Sequence, residues 1–308
     1  MSPKPPAPVP ARVLELARSI ALDLGKRSAF EGAAAVAFWF FLSLVPLLVL
    51  VGYLVGQVAR ERGVDELVGP LLEIVPGSAE PLVRKELERL AGGGGASLAP
   101  VGVAGFLWTA SSGLHNLMEV IEKGAQVAGR PWWKKRAIAV AWVVAGLAAA
   151  CVLAWVLVNL DALMQAHEAP ARAAARAHGA LQRRFHKALH ARREQFLAGS
   201  LLLASGLAML AAFYRFAVEH PPGVRRRVWP GAIAAVLFWL VVSWVFGAYV
   251  GTMADYALYY GSLAAVAVLL VWLYLTGLSL VAGAEVNLQL EAMGRAHARA
   301  KRESGPRR

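Results

Sequence analysis

Between Leu107 and Lys123 the chain concentrates side chains that can act on a polar solute. Trp108-Thr109-Ala110-Ser111-Ser112-Gly113-Leu114-His115-Asn116 runs on to Glu119, Glu122 and Lys123. On a helix, Ser112, His115, Glu119 and Glu122 fall along one stripe, with Thr109 and Asn116 beside it. Hydroxyl, imidazole, amide and carboxylate groups on one face can solvate a head group along a path through lipid. They can equally form a contact between helices, helped by the small residues Gly105, Ala110 and Gly113. Both readings stay open on the sequence alone. Ser43 and Pro46 lie together in Phe41-Leu42-Ser43-Leu44-Val45-Pro46. A proline there removes one backbone bond and bends a helix, as a structural kink or as a yielding wall of a substrate path. Glu285 and Asn287 close a long apolar run, at a depth expected to match Glu31, Glu119 and Arg215. Two readings stand: a polar cluster with Arg215 offsetting the carboxylates, or, the commoner case, ordinary interfacial residues with hydrated tips. Arg130, Lys134, Lys135 and Arg136 cluster at a span end and, with Arg215, suit an anionic head group. The candidate substrate path is therefore Ser43, Pro46, Trp108, Ser112, His115, Asn116, Glu119, Glu285 and Asn287.

Other chemistries lack their residues. His186 and His190 are four apart, but no acidic partner completes a metal motif. Gly92–Gly95 has no Lys and Ser/Thr to make a phosphate-binding loop, and no Gly-x-Ser-x-Gly elbow occurs. The lone Cys151 reads as apolar filler. The chain is thus read as a non-enzyme, without cofactor, metal or nucleic-acid partner.

These residues need elements to hold them. Of 308 residues, 58% are hydrophobic and 17% charged, against about 25% charged in a soluble domain. Charge-free windows run Gly32–Ala59, Leu90–Met118, Ala137–Leu160, Gln195–Tyr214, Val228–Ala254 and Tyr256–Ala284. About 20 residues cross a hydrocarbon core of roughly 30 Å as a helix. The expectation is an all-α polytopic membrane protein with six transmembrane helices and an N-terminal interfacial amphipathic helix over Arg12–Arg27. Spans are placed at 33–58, 98–120, 137–160, 196–217, 228–252 and 261–285. They make a membrane domain over 11–290, between a disordered stretch at 1–10 and a basic cytoplasmic tail at 291–308 that frays after Met293. With both termini inside, 20 Lys and Arg face the cytoplasm against 12 outside, in the sense of the positive-inside bias. The basic segment Asp161–Glu194 opposes that bias; its Ala-rich composition suggests helix. The net charge of +12 fits loops facing anionic lipid rather than nucleic acid. No ionisable residue sits at the middle of any span, which argues against a conventional ion-coupled carrier.

Several stretches resemble the YihY/BrkB family of bacterial inner-membrane proteins. They are Ala37-Phe38-Trp39-Phe40-Phe41-Leu42-Ser43-Leu44-Val45-Pro46, Leu107-Trp108-Thr109-Ala110-Ser111 and Arg130-Pro131-Trp132-Trp133-Lys134-Lys135-Arg136. Pro230-Gly231-Ala232, Tyr260-Gly261-Ser262-Leu263-Ala264-Ala265 through Trp272-Leu273-Tyr274, and Gly283-Ala284-Glu285-Val286-Asn287 complete the ordered set. It extends from about Arg12 to Gln289. Where the family commonly has Asn and an aromatic before its Arg-Pro motif, this chain has Glu122-Lys123-Gly124, so no role of that Asn carries over. The resemblance implies a six-helix fold in the bacterial inner membrane. Family members have been called virulence or serum-resistance factors, proposed as transporters of lipid-like molecules, and once labelled ribonuclease BN. The resulting expectation is transport of a lipid or other amphiphile, with membrane lipids as partners. The rival is a non-transporting envelope scaffold.

Overall fold

The computed structural model describes residues 29–63, 85, 88–89, 99–159, 180–219, 226–252 and 254–303. Within them the chain forms six long helices and no strand. They are α1 (Ala29–Arg62), α2 (Ala99–Ala125), α3 (Trp132–Val158), α4 (Ala180–Phe216), α5 (Trp229–Gly251) and α6 (Ala254–Glu303). The expected amphipathic helix at 12–27 and the stretch 1–10 lie outside the described residues.

Helices are what such a sequence must form, because lipid offers backbone amides no partner. Five of the six are long and apolar enough to cross a membrane: Ala29–Glu61, Trp132–Leu157, Phe196–Phe216, Trp229–Gly251 and Leu263–Arg295. Their outer faces are studded with exposed large side chains such as Leu48, Val152, Trp244 and Leu263, a surface that belongs against acyl chains. α2 is the more polar sixth. It nevertheless runs beside α1 from Gly32 to Val49: Gly32 meets Val120, Phe40 meets Gly113, Pro46 meets Gly105 and Val49 meets Gly102. That reversed order makes the pair antiparallel, so α2 occupies the same layer as a membrane-length helix.

Close approach follows from small residues. A Cβ on Gly105 would lie 3.2 Å from Pro46 Cβ, so the proline of α1 is seated against the glycine face of α2. α5 and α6 cross more tightly still. A side chain on Gly231 would overlap the Gly283 carbonyl, and one on Gly283 would overlap Ala235. The largest contacts are α1 with α2, α5 with α6 and α1 with α6. The enclosed core lies at one end of the bundle and includes Val36, Leu117, Met118, Phe213, Tyr214 and Val281.

Two helices outrun the expected spans. α4 starts at Ala180, so the described half of the basic segment is helical and continuous with the membrane span. α6 continues to Glu303, through the boundary placed at 291 and past Met293 where fraying was expected. Buried Glu291 accepts a hydrogen bond from the Arg227 amide at 3.0 Å, and the alanines beyond it favour helix.

α4 stands apart from its neighbours. It makes few approaches to α3 and α5, and the ring contact and hydrogen bond that hold it lie near its last turns. There Phe213 packs edge-on to Trp142, and the Tyr214 hydroxyl donates to the Leu280 carbonyl at 2.5 Å. Further up, Gly199 and Gly206 have nothing within 4 Å of where a Cβ would sit.

Candidate functional site

Lys135 and Arg136 are neighbours in the first turn of α3, and they reach α2 at two levels ten residues apart, about 15 Å along the helix. Lys135 Nζ lies 2.6 Å from Glu122 Oε2; the side chains are 12% and 2% exposed. The other oxygen of Glu122 accepts from the Glu219 amide at 3.3 Å. Arg136 turns toward Ser112, donating from Nη1 to its hydroxyl at 2.8 Å. Its Nη2 donates to the Trp108 carbonyl at 2.8 Å, and its Cζ lies 3.9 Å from the centroid of the Trp108 ring. Ser112 and Ser111 hydroxyls also donate to that carbonyl, at 2.8 and 3.1 Å.

The same end of the bundle is stitched elsewhere. Arg130 donates from Nη1 to the Ala217 carbonyl at 3.0 Å, and its Nε lies 3.9 Å from Glu219. Asn287 accepts from the Gly231 amide at 2.7 Å and donates to the Val228 carbonyl at 3.3 Å. These groups occupy the open first turn of α5, where backbone amides lack helical partners.

The remaining candidates scatter. Ser43 donates to the Phe40 carbonyl at 2.6 Å, and Asn116 to the Ser112 carbonyl at 2.9 Å. Glu119 is paired with Lys123 at 2.8 Å on a largely hydrated face. His115 keeps a buried Nδ1 with no hydrogen-bond partner. Lys134 lies over Trp133, 5.3 Å from its centroid. The polar cluster that one reading makes of Glu31, Glu119 and Glu285 around Arg215 is not built. Arg215 is exposed, its guanidinium over the Phe216 ring and its carbonyl accepting from Arg226. Glu31 is exposed, while Glu285 is buried and accepts from Gln289 at 3.1 Å. The reason is helix phase: a shared depth does not put groups on facing sides.

Two apolar clefts flank α4. One, about 440 Å³, lies between α2, α3 and α4 and is lined by Phe40, Leu114, Trp142, Gly146 and Met209 among others. The other, about 380 Å³, is lined by Leu203, Leu207, Val236, Trp239 and Thr276 among others. Gly206, Leu210 and Leu280 border both. The polar atoms in the second are already matched: Trp239 Nε1 donates to Thr276 Oγ1 at 3.1 Å, which donates to the Trp272 carbonyl at 2.9 Å. None of the nine candidate path residues lines either cleft. On α2 the cleft is met by Phe106, Ala110 and Leu114, whereas Trp108 and Ser112 fall on nearly the opposite side at 100° per residue.

Reading residue types alone passed over Glu219, Glu291 and Tyr214, which hold the closed end together. Glu291 stands four residues after Asn287, one turn along the same face, and that spacing was its available signal. Among the described residues, no group of three or more His, Cys, Asp or Glu side chains is placed to share a metal ion.

Comparison with known proteins agrees with a membrane protein of this kind. Over 263 residues the chain is 26% identical to the ribonuclease-like protein YfkH of Bacillus subtilis (strain 168), covering 84% of this chain and 88% of that one. It is 33% identical over 90 residues to a UPF0761 membrane protein of Xanthomonas campestris pv. campestris (strain B100), 29% of this chain and 21% of that protein. A UPF0761 membrane protein of Xanthomonas oryzae pv. oryzae (strain PXO99A) is 35% identical over 83 residues, 27% of this chain and 19% of the other. No solved structure matches. The model of the family described as virulence factor BrkB matches residues 21–308, and the chain therefore belongs to the BrkB family.

Proposed function

We propose that this protein is a transport-type protein of the bacterial inner membrane, with both termini in the cytoplasm, that moves a lipid or another amphiphile between leaflets. The observation that carries this reading is the pair of apolar clefts meeting beneath α4 at Gly206, Leu210 and Leu280. Their apolar walls fit hydrocarbon and offer little to a polar solute. α4 is gripped near its last turns and free above them, so it can shift sideways without breaking the ion pairs of the closed end. A chain in the clefts would move with it, while its head group travels along the wet surface.

The test is reconstitution into liposomes with fluorescent lipids. Wild type should move lipid between leaflets, and Gly206→Leu, which fills the junction of the clefts, should abolish movement while leaving thermal stability intact. Absence of lipid movement together with flux of small ions would overturn the reading in favour of a channel.

A scaffold remains a second reading because of one observation. Ser112, Asn116, Glu119 and Asn287 are engaged by the chain's own groups, and none lines a cleft. It predicts a stable envelope partner in a pull-down, and no lipid movement. The name of YfkH supplies a further comparison: RNA cleavage by purified protein would favour neither reading.

A further inference from the structure

We propose that Arg136, with the Trp108 ring, binds the phosphate of an anionic lipid head group on the lipid-facing side of the α2–α3 pair. The basic cluster at the start of α3 is divided by its partners. Lys135 is neutralised by buried Glu122, and Arg130 is held by the Ala217 carbonyl and Glu219. Arg136 alone of these three reaches only neutral acceptors, the Ser112 hydroxyl and the Trp108 carbonyl. Among the described residues no carboxylate pairs with it. A guanidinium has five N–H donors in a planar fork, and two are used. The other three, on a cation braced against an indole face, match the oxygens of a phosphate.

The surroundings say where that phosphate comes from. Trp132 and Trp133, at the start of α3 one turn before Arg136, are 63% and 62% exposed, and such rings settle where acyl chains meet head groups; Trp108, 56% exposed, lies deeper along α2. Arg136, rooted at that end of α3 and braced on the exposed Trp108 ring, faces a lipid phosphate more readily than a dissolved anion. The site lies on the side of α2 away from the clefts, so it does not rest on the translocation reading, and either can fail without the other.

The experiment is native mass spectrometry of the full chain released from nanodiscs containing phosphatidylglycerol and phosphatidylcholine, alongside inorganic phosphate added to the detergent-solubilised protein. Wild type should retain phosphatidylglycerol preferentially, undisturbed by millimolar phosphate. Arg136→Gln should weaken that retention by about five- to tenfold, the scale of losing a forked charge-assisted contact. Arg136→Lys should recover part of it, and Trp108→Leu, a change at an exposed ring, should weaken it with the melting temperature kept. Arg295→Gln, which removes the same charge elsewhere, should change nothing. Equal retention of both lipids by wild type would overturn the proposal. So would displacement by inorganic phosphate, or wild-type preference in Trp108→Leu and Arg136→Gln alike.

Discussion

Taking a carboxylate out of water is costly, and Glu122 is 2% exposed because Lys135 and the Glu219 amide replace its hydration. Removing one partner leaves the other buried and charged. Glu122→Ala should therefore destabilise the purified protein by about 3–5 kcal/mol, as breaking a buried pair does. Glu122→Gln should cost less, and Glu122→Ala combined with Lys135→Met should recover part of the loss. Thermal unfolding in one detergent checks all three; additive losses in the double variant would show that the pair is not coupled. At this scale the sequence was half legible. Ser112 and Arg136 were both picked out by type and place, but their meeting was not. The polar stripe of α2 identifies a face, and partner choice depends on the rotation of α3 against it. Glu119 and Glu122 share the stripe, yet one ends hydrated and the other sealed, a difference set by α3 and α4 rather than by either residue.

Among elements, the α5–α6 crossing is the tightest. Gly231 and Gly283 let the two backbones touch, which allows Asn287 to reach the free amide of Gly231. Gly231→Leu or Gly283→Val should prevent folded protein from accumulating in the membrane, while Gly199→Ala, with open space around it, should accumulate normally. Fluorescence-detected size-exclusion of extracted protein measures this; a sharp peak for Gly231→Leu would refute the packing argument. Helix positions were legible in the charge-free windows because lipid enforces helix over their whole length. Helix ends were not. Beyond the bilayer the limits of α4 and α6 are set by alanine content and by contacts such as Glu291 with Arg227, and apolarity carries no information about them.

For the whole molecule, the described bundle is closed at one end by the buried Lys135–Glu122 pair, the half-buried Arg130–Glu219 contact and amide caps, and loose along the upper part of α4. Spin labels at Gly199→Cys and Tyr249→Cys, in a Cys151→Ser background, should give a broad distance distribution. A pair at Phe216→Cys and Met293→Cys, near the closed end, should give a narrow one. Two equally narrow distributions would mean that α4 is held throughout. The all-helical membrane architecture could be read from composition, whereas the clefts could not, since a void is a property of side chains from several helices at once. α6 adds a mechanical corollary. Its 50 residues make a rod of about 75 Å, well over the 40–45 Å of a whole bilayer. Rocking within the hydrocarbon is thus transmitted as a lever's swing: a tilt of about 10° sweeps a point 18 residues past Glu285 through roughly 5 Å. A dye at the tip would report that swing as an optical pointer.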